Sequence, residues 1–146
     1  MTRYEGPIWL PGGNLQTIWP ALFARRVRGE MPTYRRERWT TPDDDFIDVD
    51  WVDAPADPAG SVRTVAAERV QAPPLIVLFH GLEGSSASHY AQAFADFAQA
   101  RGLGFAVPHF RGCSGELNRA PRAYHSGDHD EIDWILRQCQ AQVAGP

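Results

Sequence analysis

Leu75-Ile76-Val77-Leu78-Phe79-His80-Gly81-Leu82-Glu83-Gly84-Ser85-Ser86 is an apolar run that stops at a glycine-punctuated polar turn. Five consecutive large apolar residues cannot alternate between core and solvent. Both faces of the strand they form must be covered, as in a parallel sheet flanked by helices. Pro73 and Pro74 mark the start of this strand. Beyond it, Gly81 and Gly84 permit backbone angles and close approaches closed to other residues. The serines that follow can cap a helix whose free N–H groups point back at the turn. Such a turn is a site for negative charge.

Composition bounds what the site can belong to. The 146 residues are 43% hydrophobic and 22% charged, the make-up of one ordinary globular domain. A whole fold of this size buries roughly 70% of its unfolded surface. Lysine and arginine number 14 against 18 aspartates and glutamates, a net charge of -4 that argues against nucleic acid as a partner. Arg25-Arg26-Val27-Arg28 and Arg35-Arg36-Glu37-Arg38 read as solvated faces. No apolar run reaches the roughly 18 residues of a membrane span and the start lacks a signal pattern, so the expected location is cytoplasmic. Cys113 and Cys139 have neither disulfide-framework nor metal-ligand spacing and read as reduced thiols.

Residues 1–33 read as an irregular lead and a short helix. Asn14 is the expected cap, Leu15, Ile18, Trp19 and Leu22 form one apolar face, and Pro20 should bend or shorten the helix. Residues 34–52 read as two strands joined by Thr41-Pro42-Asp43-Asp44-Asp45. Phe46, Asp48 and Asp50 alternate with Ile47, Val49 and Trp51, which predicts one wet face at a sheet edge. Residues 53–74 read as a surface loop. Residues 75–146 read as strand, helix, strand, helix: a helix over Ser88 to Arg101 with Tyr90, Phe94 and Phe97 on one face, a strand from Leu103 to Val107 ended by Pro108, and a last helix from Asp128. Asp128 and Glu131 resemble a capping box for that helix, and Ile132, Ile135, Leu136, Cys139 and Val143 form its apolar face. A parallel crossover would bring both glycine-rich turns, at Gly81 and at His109-Phe110-Arg111-Gly112-Cys113-Ser114-Gly115, to the carboxyl edge of the sheet, where α/β folds bind ligands.

Five motifs in this order carry a resemblance: Asn14-Leu15-Gln16-Thr17, Asp45-Phe46-Ile47-Asp48, His80-Gly81-Leu82-Glu83-Gly84-Ser85, His109 to Gly115, and Tyr124-His125-Ser126-Gly127. The chain resembles the N-terminal part of an α/β-hydrolase of the YheT-like group, related to eukaryotic abhydrolase proteins. Asn14 stands where that pattern usually has histidine, and Pro108 is unexpected at the end of a strand. The resemblance implies an incomplete α/β-hydrolase fold, a mostly parallel sheet with an antiparallel N-terminal edge, flanked by helices. It also implies a serine-type carboxylic ester hydrolase acting on small-molecule or lipid-like esters without a cofactor.

Acyl transfer of that kind needs a nucleophile on a strand-to-helix elbow, a histidine base, an acid and two N–H donors for the oxyanion. The resemblance assigns one donor to the backbone N–H of Leu82, with His80 and Gly81 shaping the turn and Gly84 permitting close packing. No G-x-S-x-G occurs, since Gly112-Cys113-Ser114-Gly115 is one residue short. Ser85, Ser86 and Ser88 read as helix caps. The nucleophile, acid and catalytic histidine are therefore expected outside these residues, and the chain alone should turn over nothing. His125 and His129 lack single-face metal spacing because Gly127 lies between them, so no metal is expected. Arg111 and His125 are candidates for the pocket edge. Arg111 either ties its own loop or meets an anionic substrate, and His125 ties a loop or supports the pocket.

Two rivals stand beside this reading. A phosphate or nucleotide binder would use the same strand–turn–helix, but the turn lacks a lysine and carries Glu83. A non-catalytic remnant or incomplete fragment of a hydrolase would expose Leu75 to Phe79 as an apolar edge open to self-association.

Overall fold

Strand β2, Phe46–Val52, is buried at every position, although two of its seven residues, Asp48 and Asp50, are carboxylates. Its neighbours explain this. In the computed structural model, which describes residues 5–23, 31–52, 73–125 and 127–144, β1 (Arg35–Thr40) pairs antiparallel with β2 on one side. Strand β4 (Gly104–Pro108) pairs antiparallel with it on the other. Strand β3 (Leu75–Val77) then pairs parallel with β4, giving a mixed sheet in the order β1-β2-β4-β3. The ladder runs one residue past β3, where the Leu78 N–H donates to the Ala106 carbonyl at 2.8 Å.

The wet face expected of β2 is dry. Register places Arg36 opposite Asp50 and Arg38 opposite Asp48, and each arginine grips its carboxylate through two nitrogens at 2.7 and 2.8 Å. Asp48 and Asp50 are consequently 2% and 3% exposed, while Arg36 and Arg38 remain exposed to solvent and cover them from β1. Arg38 also lies 3.8 Å from the centre of the Phe46 ring.

Each face of the sheet is covered by one helix. Helix α2 (His89–Ala100) packs Ala91, Ala95 and Ala98 against Val52, Phe105 and Val107. Helix α3 (His129–Ala144) packs Ile135 and Cys139 against Ile47, Val49, Trp51 and Ala106. The burying face of α2 is thus its alanine stripe, which lets the helix backbone come close to the sheet, while Phe94 and Phe97 remain 49% and 44% exposed. Phe97 lies against the Arg101 guanidinium, 3.7 Å away. The capping box expected at Asp128 does not form: Asp128 takes two bonds from Arg122 and Glu131 takes Arg111. Leu75 to Phe79 are half-buried rather than exposed. Among the described residues, β3 has a partner strand on one side only.

The chain divides into two compact units, residues 1–30 and 31–146. The sheet belongs to the second. The first contains α1 (Gly12–Phe23), which starts before Asn14 and runs through Pro20 to Phe23. Asn14 is thus inside the helix rather than its cap. The expected loop at 53–74 lies outside the described residues apart from Pro73 and Pro74, and so does Arg25-Arg26-Val27-Arg28.

Candidate functional site

The turns after β3 and β4 lie at the carboxyl ends of two parallel neighbours. Because β2 runs the other way, its start at Asp45 and Phe46 lies at the same edge. Three sequence-distant segments therefore meet there.

His80, 4% exposed, ties the first turn to the second. The Phe110 N–H donates to its Nε2 at 3.0 Å, so the ring proton sits on Nδ1, which donates to the Gly81 carbonyl at 2.8 Å. Burial first, and His109 nearby, hold the His80 pKa below its ordinary 6.5, in keeping with a neutral ring. The Gly81 carbonyl also accepts the Gly84 N–H at 2.9 Å. With that carbonyl held by two donors, planarity of the trans peptide turns the Leu82 N–H the opposite way. The N–H groups on either side are occupied. Gly81 donates to the Tyr90 hydroxyl at 3.0 Å and Glu83 to the Tyr124 hydroxyl at 2.8 Å. Among the described residues the Leu82 N–H has no partner, and the Leu82 side chain is 86% exposed.

Neither glycine supplies the turn's positive φ, which falls on Glu83 at 53°. Gly84 is needed for space: an added Cβ would lie 2.5 Å from the Tyr90 hydroxyl and 3.0 Å from both the Gly81 oxygen and the His80 Cβ. At Gly81 the nearest atom to such a Cβ would be the Tyr90 hydroxyl at 3.9 Å, an ordinary contact.

The serines do not cap α2. Ser88 stands at the N-cap position without a side-chain capping bond; its Oγ accepts the Ser85 N–H at 3.1 Å, and the Ser85 Oγ accepts the Ala87 N–H at 3.2 Å. Ser86 points inward and donates to Asp50 Oδ2 at 2.5 Å. His109 Nε2 lies 2.9 Å from the same oxygen, and Arg36 holds the carboxylate from β1. Burial alone would raise the Asp50 pKa, but bonds from Arg36, His109 and Ser86 outweigh it and hold the carboxyl well below the usual range. Ser86 is 7% exposed and bonded to the acid rather than to a base, so this cluster is a buried tie and not a nucleophile on its base.

Arg111 is 5% exposed and fully engaged: Nε meets Glu131 at 2.7 Å, and the other nitrogens meet Asp45 at 2.9 Å and both Asp43 oxygens at 3.0 Å. It borders a cavity of about 160 Å³ that Thr41, Asp43, Arg122 and Trp134 also line. Its guanidinium is spent on joining the β1–β2 turn, its own loop and α3. Asp45 completes this tie by accepting the N–H groups of Phe46, Arg119 and Ala120 and the Asn118 amide. His125 is exposed, and its Nδ1 accepts the Gly127 N–H at 3.2 Å; His129 is exposed too. Ser126 lies outside the described residues. Among the described residues no three His, Cys, Asp or Glu side chains gather to hold a metal. Cys113 and Cys139 are free thiols, the latter pushed up to about 11 by burial.

Asp50, Ser86, His109, Tyr90 and Tyr124 were not singled out as site residues in the sequence. A signal for Asp50 existed in the hairpin register: once Thr40 faces Phe46, Arg36 must face Asp50. Tyr124 opens one of the five motifs, but nothing local marks its partner Glu83, which lies 41 residues away.

The chain is 43% identical over 129 residues to YheT, a candidate esterase of Escherichia coli (strain K12), an alignment covering 88% of this chain and 34% of that protein. This likeness supports a YheT-like α/β-hydrolase fragment. An abhydrolase domain-containing protein of Dictyostelium discoideum is 40% identical over 63 residues, 42% of this chain and 16% of that one. This YheT-like chain thus spans about a third of the first relative's length. No family model and no solved structure matches it. The mixed sheet with helices on both faces agrees with the partial α/β fold that the resemblance implies. No described helix is long and apolar enough to cross a membrane.

Proposed function

We propose that these residues form the oxyanion-binding part of a serine-type ester hydrolase, with the Leu82 N–H as the donor. One observation carries the reading: along the turn from Gly81 to Ser85, every backbone N–H but that of Leu82 has a partner among the described residues. A donor held without reorganisation stabilises charge that develops on a carbonyl oxygen during acyl transfer, an effect worth roughly 10² to 10³ in rate when a nucleophile is present. The substrate would be a small or lipid-like carboxylic ester, handled in the cytoplasm. His80, Gly81 and Gly84 hold the turn; Arg111 and His125 tie loops at the pocket edge without touching substrate.

The sequence contains no G-x-S-x-G, so these residues have no identified nucleophile of their own. A serine-reactive fluorophosphonate read by intact mass, beside a short-chain p-nitrophenyl ester, tests this. The expected result is neither adduct nor turnover. An adduct with turnover would place a working nucleophile among Ser61, Ser85, Ser86, Ser88, Ser114 or Ser126 and overturn the assignment. A second reading, a non-catalytic chain that associates with itself, draws on the open side of β3. Sedimentation over a range of concentrations would reveal it as a rise in mass.

A further inference from the structure

We propose that Tyr90 and Tyr124 are positioning residues of the oxyanion turn: their hydroxyls occupy the N–H groups on either side of Leu82 and so select which single donor the turn presents. This rests on the oxyanion reading above. A tight turn has several N–H groups in a row, and left alone all of them compete for an anion with different directions. Here two phenol oxygens, from the first turn of α2 and from the segment before α3, take the Gly81 and Glu83 donors at 3.0 and 2.8 Å.

Both rings are held. Tyr124 stacks on Phe110 with ring centres 5.0 Å apart and planes 3° from parallel, and it meets the His80 ring edge-on at 6.3 Å. Phe110 is also the residue whose N–H fixes the His80 proton on Nδ1. One residue therefore sets both the Tyr124 ring and the peptide that aims Leu82. The Tyr124 hydroxyl interacts in addition with the Cys113 side chain. Tyr90 is limited by Gly84, whose missing Cβ leaves room for its hydroxyl. The ring stacking is independent of the hydroxyl, so phenylalanine at either position keeps the packing and removes only the acceptor.

The test uses the 146-residue chain with amide resonances assigned and sodium acetate as the oxyanion probe, in wild type, Tyr90→Phe and Tyr124→Phe. In wild type acetate should move the Leu82 amide proton and leave Gly81 and Glu83 still. In Tyr124→Phe the Glu83 amide should begin to respond, in Tyr90→Phe the Gly81 amide, and the Leu82 response should weaken roughly five-fold in each, the worth of one hydrogen bond. A thermal midpoint close to wild type in at least one variant excludes simple unfolding, and Gly84→Ala, which crowds Tyr90 without removing its hydroxyl, should reproduce the Gly81 response. If Leu82 responds in wild type and identically in all variants, the tyrosine assignment falls while the oxyanion reading survives. If Leu82 is silent in wild type, the oxyanion reading falls and takes this proposal with it.

Discussion

At the residue scale, the two glycines of the turn do different work, and sequence alone could not separate them. Gly84 is required for space and Gly81 is not. Gly84→Ala should cost about 1–3 kcal/mol as the Tyr90 hydroxyl is driven off. Gly81→Ala should change stability by no more than about 0.5 kcal/mol, since nothing crowds it and its φ is not positive. Urea midpoints of the two variants check the contrast. His80 supplies a pH dependence with a definite sign. Its folded pKa lies below 6.5, so the unfolded chain takes up a proton first as pH falls. Its contribution is whole above pH 6.5 and is lost below it, at up to about 1.4 kcal/mol per pH unit until the folded ring itself protonates. His80→Asn should flatten the part of the stability profile just below pH 6.5 relative to wild type. An unchanged slope there would mean that His80 is not held neutral.

At the element scale, the strands were readable and their burial was not. Alternation located β2 and its turn, because aspartates and a proline stop a strand cleanly. Polarity then suggested solvent, whereas Asp48 and Asp50 are buried beneath Arg38 and Arg36. Periodicity cannot distinguish a wet carboxylate from one paired across strands. In α2 the aromatic stripe drew attention, yet close approach to β4 demanded small side chains, and Ala91, Ala95 and Ala98 are 0% exposed. Ala95→Leu should therefore overpack the helix–sheet contact and cost about 1–3 kcal/mol. Phe94→Ala, on the exposed side, should cost less than half as much; thermal melts of both variants measure the ratio.

At the scale of the whole molecule, the order of motifs carried the family, and the parallel crossover from β3 through α2 to β4 followed from the strand, helix, strand pattern. What stayed hidden were contacts across long separations: Tyr124 to Glu83, Arg111 to Asp43 and Asp45, His109 to Asp50. Each is a single side chain whose partner is set by topology rather than by spacing. Together these ties join the β1–β2 turn, the two loops after β3 and β4 and the start of α3 into one edge, and the Leu82 N–H is what that edge leaves open. Amide hydrogen exchange across Gly81 to Gly84 in the unmodified chain measures this most directly. The expected pattern is a Leu82 amide that exchanges roughly ten-fold or more faster than those of Gly81, Glu83 and Gly84 after correction for intrinsic rates. A Leu82 amide as protected as its neighbours would mean that its N–H is already satisfied, and the turn would then have no donor to offer an oxyanion.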